Sequence, residues 1–74
     1  MLLLRRQRCG KGFRFVDARG SIIKDDLTIT RLKSLAMPPA YTNVRYAADS
    51  ASHLQAVGED AAGRLQYRYH PDWV

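Results

Sequence analysis

Leu54-Gln55-Ala56-Val57-Gly58-Glu59-Asp60-Ala61-Ala62-Gly63-Arg64-Leu65-Gln66-Tyr67-Arg68-Tyr69-His70 is the stretch on which the fold turns. Leu54 to Val57 and Gln66 to His70 read as two strands around a turn. Asp60 can cap backbone N–H groups there, and Gly63 tolerates a left-handed conformation. So short a connection joins antiparallel neighbours. The same signal stands at Asp17-Ala18-Arg19-Gly20 and, without the glycine, at Asp49-Ser50-Ala51-Ser52. Phe13-Arg14-Phe15-Val16 and Ser21-Ile22-Ile23 flank the first of these and are predicted to form a hairpin. Asn43-Val44-Arg45-Tyr46-Ala47 precedes the second, and Leu54 to Val57 follows it. The expected class is α+β: a small antiparallel sheet of about five short strands with one or two short helices.

The helix belongs between the first hairpin and Asn43. Asp25 and Asp26 offer an N-cap and a favourable first-turn charge, and Ile29, Leu32, Leu35 and Ala36 recur at helical spacing. Pro38 and Pro39 end it, with Met37 pushed towards an extended conformation. Arg31 and Lys33 fall off the apolar stripe and are expected on a solvated face. Such a helix covers one face of the sheet and leaves the other for solvent or a partner. Residues 1–12, basic and without periodicity, are expected as a flexible arm, and 13–74 as the folded domain.

The composition narrows the function. The 74 residues carry a net charge of +5, from 12 lysines and arginines against 7 acidic residues. A chain of this length buries only about 60% of its unfolded surface, which leaves little for a deep catalytic cavity. Cys9 is the sole cysteine, and with His53 and His70 it cannot assemble a four-ligand zinc site. No metal or cofactor is expected, and a reducing, cytoplasmic setting is. Met1-Leu2-Leu3-Leu4 precedes its charges and is too short for a secretory signal, and no segment approaches a membrane span. The cations are mostly arginine, which suits bidentate binding of phosphate, so an anionic polymer is the natural partner. Solubility alone also accounts for such a charge.

Two constellations are candidates for that partner. Gly63 to Trp73 places hydrogen-bonding side chains at nearly every position where a purely structural strand would alternate them with Val, Ile or Leu. In an extended chain Tyr67 and Tyr69 share one face, while Gln66, Arg68 and His70 share the other. Arg meets phosphate or guanine with a planar fork, Gln reads an adenine edge, and Tyr packs on sugar or donates to phosphate. Burying both tyrosines would require buried partners for both hydroxyls, and the periodicity leaves either assignment open. Arg5, Arg6, Arg8 and Lys11 are the second group, suited to following a phosphate backbone. His53, His70, Glu59 and Asp60 form no nucleophile, base and orienting group by spacing, and Gly10-Lys11-Gly12 is too short for a phosphate loop. A protein-binding module built on exposed tyrosines and arginines is the alternative of a different class.

Four stretches in order carry a resemblance. They are Arg5-Arg6-Gln7-Arg8-Cys9-Gly10-Lys11-Gly12-Phe13-Arg14-Phe15, Leu35-Ala36-Met37-Pro38-Pro39-Ala40-Tyr41, His53-Leu54-Gln55-Ala56-Val57-Gly58-Glu59-Asp60, and Gly63-Arg64-Leu65-Gln66-Tyr67-Arg68-Tyr69-His70. Together they resemble the N-terminal domain of the poxvirus-like type IB DNA topoisomerases of bacteria, from about Arg5 to Trp73. The resemblance implies a monomeric enzyme that relaxes supercoils without ATP or an obligatory metal, working on the nucleoid as a two-lobed clamp around duplex DNA. It implies that a C-terminal catalytic domain, absent from this chain, cuts one strand through a 3′-phosphotyrosyl link. There arginine, lysine and histidine stabilise the transition state. This domain alone is then no enzyme. Its sheet lies across the major groove, Gln66, Tyr67 and Tyr69 approach the DNA, and Arg64 meets a phosphate. Leu65 and Glu59 depart from the family pattern and lower the positive charge near the groove.

Overall fold

A computed structural model describes residues 2–72. The elements run β1 (Leu4–Cys9), β2 (Gly12–Val16), α1 (Asp26–Ser34), β3 (Thr42–Tyr46), β4 (Leu54–Glu59) and β5 (Leu65–Tyr69). All pairings are antiparallel, and the five strands form one sheet in the order β2-β1-β3-β4-β5. The expected α+β class holds.

The aspartate turns are built as the sequence predicts. Asp17 Oδ1 accepts the backbone N–H groups of Arg19 and Ser21, and Asp60 Oδ1 accepts those of Ala62 and Arg64. The glycine closing each turn donates back to the aspartate carbonyl, at 3.0 Å for Gly20 and 2.9 Å for Gly63. Both glycines have φ near +80°, a conformation costly to residues with a Cβ. Helix α1 begins where expected: Asp25 caps it, accepting from the Thr28 N–H at 3.0 Å and the Thr28 hydroxyl at 2.6 Å. Just past its last turn Ala36 takes φ +52°, a position that favours glycine.

Three expectations are corrected. Residues 4–9 are no flexible arm: they form β1, which pairs with β2 on one side and β3 on the other. Only Leu4 of this strand is buried, so hydrophobic alternation is missing. The signal lies in the turn, where Gly10 at φ +58° heads a two-residue connection to Gly12, the arrangement of a tight hairpin. Ser21 to Ile23 does not become a strand. It keeps one bridge, Val16 to Ile22, and a hydrogen bond from the Ile23 N–H to the Phe15 carbonyl, since the helix cap at Asp25 cuts the run short. Nor does Arg31 lie on a solvated face. Its guanidinium donates to Gln55 Oε1 at 2.7 Å and to the carbonyls of Ala47 and Ala48, tying α1 to the β3–β4 turn.

The core lies between α1 and one face of the sheet. Leu4, Phe15, Val44, Tyr46 and Ala56 rise from the strands to meet Leu32 of the helix and Met37 of the loop after it. The Phe15 and Tyr46 rings pack edge to face at 5.6 Å, a favoured aromatic geometry. Gly58 lets the 37–41 loop settle on the sheet: a Cβ there would lie 2.9 Å from the Met37 methyl and 3.1 Å from Val44. Burial pushes the Tyr46 phenol above its ordinary pKa, while the neighbouring Arg6 pulls the other way.

Candidate nucleic-acid interface

Paired residues on adjacent strands point to the same side of a sheet, so the register assigns every strand position to a face. Leu4, Tyr46, Ala56 and Arg68 form one cross-strand row on the helix side. The next row, displaced by one residue, reads Val16, Arg5, Arg45, Val57, Tyr67 from β2 to β5. It lies on the opposite face, which α1 does not cover.

On that open face Tyr67 and Tyr69 stand two residues apart at the sheet edge, 44% and 52% exposed. Their rings stack with centroids 6.3 Å apart and planes 29° from parallel. The open question from the strand pattern is thus answered: the core is filled by Tyr46, and the β5 tyrosines stay out of it. Arg14 and Gln7 pair on the same face, with Arg14 Nε donating to Gln7 Oε1 at 3.2 Å. Leu65 is also here, paired with Glu59, whose carboxylate accepts from Asn43 Nδ2 at 3.0 Å. Backbone strain accompanies that contact: Asn43 has φ +50°, within a register shift between β3 and β4.

The expected site residues therefore divide. Arg5, Tyr67 and Tyr69 share the open face. Arg6 is on the helix side, where it donates to the carbonyls of Met37 at 2.7 Å, Pro38 at 2.8 Å and Tyr41 at 3.1 Å. Its guanidinium also lies over Phe13, 4.2 Å from the ring centroid, and these contacts occupy it structurally. Arg8 faces the same ring at 5.1 Å and stays exposed, as does Lys11 in the β1–β2 turn. Gln66 and Arg68 alternate to the helix side of β5.

Gln66 Nε2 and Arg64 Nε both reach Asp60 Oδ2, at 3.0 and 3.3 Å. That carboxyl is held below its ordinary pKa, first by the Arg64 backbone N–H, then by the Gln66 amide, the Ala62 N–H and the Arg64 charge. Asp60 thus presents Arg64 at the tip of the β4–β5 turn. The sequence pattern does not single out Arg45, Arg14 or Gln7 as site residues. Arg45 was legible in principle, because it alternates with Val44 and Tyr46, both buried, and must point away from them.

His53 and His70 are neighbours at the β5 end of the sheet. The His70 N–H donates to the His53 carbonyl, and His70 Nδ1 accepts from the Asp72 N–H at 3.0 Å. Among the described residues no group of three His, Cys, Asp or Glu is placed to hold a metal ion, and no helix is long and apolar enough to cross a membrane. Trp73, the last residue of the polar run, lies outside the described residues.

The fold is thus a small antiparallel sheet with one helix-covered face and one open face that carries arginines and tyrosines. Residues 12–60 match the family described as bacterial DNA topoisomerase IB, N-terminal domain, and the chain belongs to that family. The match takes in β2 through β4 and includes Arg45, while β1 and β5 lie outside it. The chain is also similar to the DNA topoisomerase 1B of Acanthamoeba polyphaga mimivirus, at 52% identity over 42 residues. That stretch is 57% of this chain and 12% of the viral protein.

Proposed function

We propose that this domain is the duplex-binding lobe of a type IB topoisomerase clamp, and that the open face of its sheet is the surface laid on DNA. The observation that carries this reading is the exposed, stacked Tyr67 and Tyr69 on the same uncovered face as Arg5, Arg14 and Arg45. The tyrosine edge enters the major groove, where phenols pack on sugars and donate to phosphates or base edges. Arg64, set by Asp60, meets the backbone beside them, with Gln66 next to it at the sheet edge. Arg8, Lys11 and Arg68, at the periphery, add attraction of longer range.

Strand cleavage and resealing are assigned to a catalytic domain elsewhere on a longer polypeptide, in keeping with the small part of the mimivirus enzyme that this chain matches. Tyr67 and Tyr69 are groove contacts in this scheme and not nucleophiles. The lobe acts as a monomer on DNA in the bacterial nucleoid, needs no cofactor, and relaxes nothing by itself.

Titration of a labelled duplex at low salt tests the reading. Amide shifts should concentrate in β1, β3 and β5, and Tyr67→Ala with Tyr69→Ala should weaken binding about tenfold or more with the amide spectrum otherwise intact. Affinity should fall steeply as salt rises. A weak salt dependence, with shifts confined to the helix side, would favour a protein partner instead.

A further inference from the structure

The row Val16, Arg5, Arg45, Val57, Tyr67 contains a pairing that folding alone disfavours. Arg5 and Arg45 are direct cross-strand partners on β1 and β3, and like charges at such positions repel. Among the described residues neither has a carboxylate within ion-pairing distance, the ion pairs there being Arg64 with Asp60 and His70 with Asp72. Glu59, the acidic residue on this face, is engaged by Asn43. Arg6 and Arg31 show how this fold uses up a guanidinium when it serves structure, each donating to three oxygens. Arg5 has no such contact among the described residues and is exposed. Arg45 has one tether, from Nε to the Asn43 carbonyl at 3.3 Å, which steadies the side chain and leaves its terminal nitrogens to donate elsewhere.

Two adjacent, unneutralised guanidinium groups match an oxyanion with several acceptor oxygens. Their position in the row selects one. At the usual strand spacing, Arg45 is about 10 Å and Arg5 about 14 Å from Tyr67 across the sheet. The major groove is about 12 Å wide. With the tyrosine edge inside the groove, the arginine pair therefore falls on the phosphate ridge that borders it. Val16 and Val57, buried on either side of the pair, give it a firm base.

We infer that Arg5 and Arg45 together grip a single backbone phosphate at the rim of the groove entered by Tyr67 and Tyr69, and so set the rotation of the sheet on the duplex. The inference rests on the duplex-docking reading above.

A phosphate-neutralisation scan tests it. Duplexes each carrying one uncharged methylphosphonate are titrated with the 74-residue chain and with its Arg5→Gln/Arg45→Gln variant. For the unaltered chain, one position should cost about tenfold or more. The double variant should be indifferent to that position, and its salt slope should be shallower by about 0.9, the value for one phosphate. Tyr67→Ala should stay sensitive to it. A double variant that keeps both the slope and the sensitivity overturns the phosphate grip while leaving duplex docking intact. Failure of the unaltered chain to bind duplex at low salt overturns docking, and the grip with it. Should the double variant not fold, Arg5→Gln alone carries the test, with a slope change of up to about 0.9 and reduced sensitivity at the same phosphate; unchanged slope and sensitivity overturn the grip.

Discussion

Arg5 and Arg6 are neighbours in β1, yet the two faces of the sheet put them to opposite uses. On the helix side Arg6 gives its hydrogen bonds to three loop carbonyls and covers Phe13. On the open side Arg5 faces Arg45, with no compensating acid among the described residues. A guanidinium surrounded by carbonyls contributes to stability, because the acceptors it satisfies would otherwise lose water without replacement. One set opposite another cation gains no such compensation and is opposed by like charge. The contrast separates scaffold from surface within a single strand.

The contrast breaks most readily at Arg6. Arg6→Ala strands the Met37, Pro38 and Tyr41 carbonyls and should cost about 3 kcal/mol, enough to unfold much of a domain this small. Urea denaturation measures it, and a loss below about 0.5 kcal/mol would remove the distinction between the faces. A smaller effect is expected at Gly58, where the 37–41 loop meets the sheet. Gly58→Ala should cost about 1–2 kcal/mol, since Val44 and the Tyr41 ring must give way while the Met37 methyl can swing aside.

The smallest effect concerns acid. Asp60 has its folded pKa lowered below the ordinary value of about 3.9, so its contribution to stability is complete above that value. It is lost as the pH falls through the folded pKa. The Ala62 and Arg64 amide resonances should therefore titrate together with a midpoint below 3.9. A midpoint at or above 3.9 would mean that Asp60 does not organise the turn presenting Arg64.

How legible each feature was depended on how far apart its partners lie in the chain. Asp17, Asp25 and Asp60 bond to N–H groups within four residues, so their turns and cap could be read directly. β1 was missed because an arginine-rich strand between two partners shows no alternation, although Gly10 marked its hairpin. The contacts of Arg31 and Arg6 were illegible for a related reason: their acceptors lie 16 to 35 residues away. The site was half legible. The β5 tyrosines were visible as polar excess, whereas Arg45 drew no notice between two core residues.

By itself the sequence determined the three turns, the start of the helix at its Asp25 cap, the basic surplus and the family resemblance, since each rests on short-range geometry or residue identity. Only the tertiary structure decided which tyrosines fill the core and which arginines remain free. That choice depends on the cross-strand register and on which face the helix covers. Both are set by contacts between segments far apart in the chain, where a shift of one residue would exchange every inward side chain for an outward one.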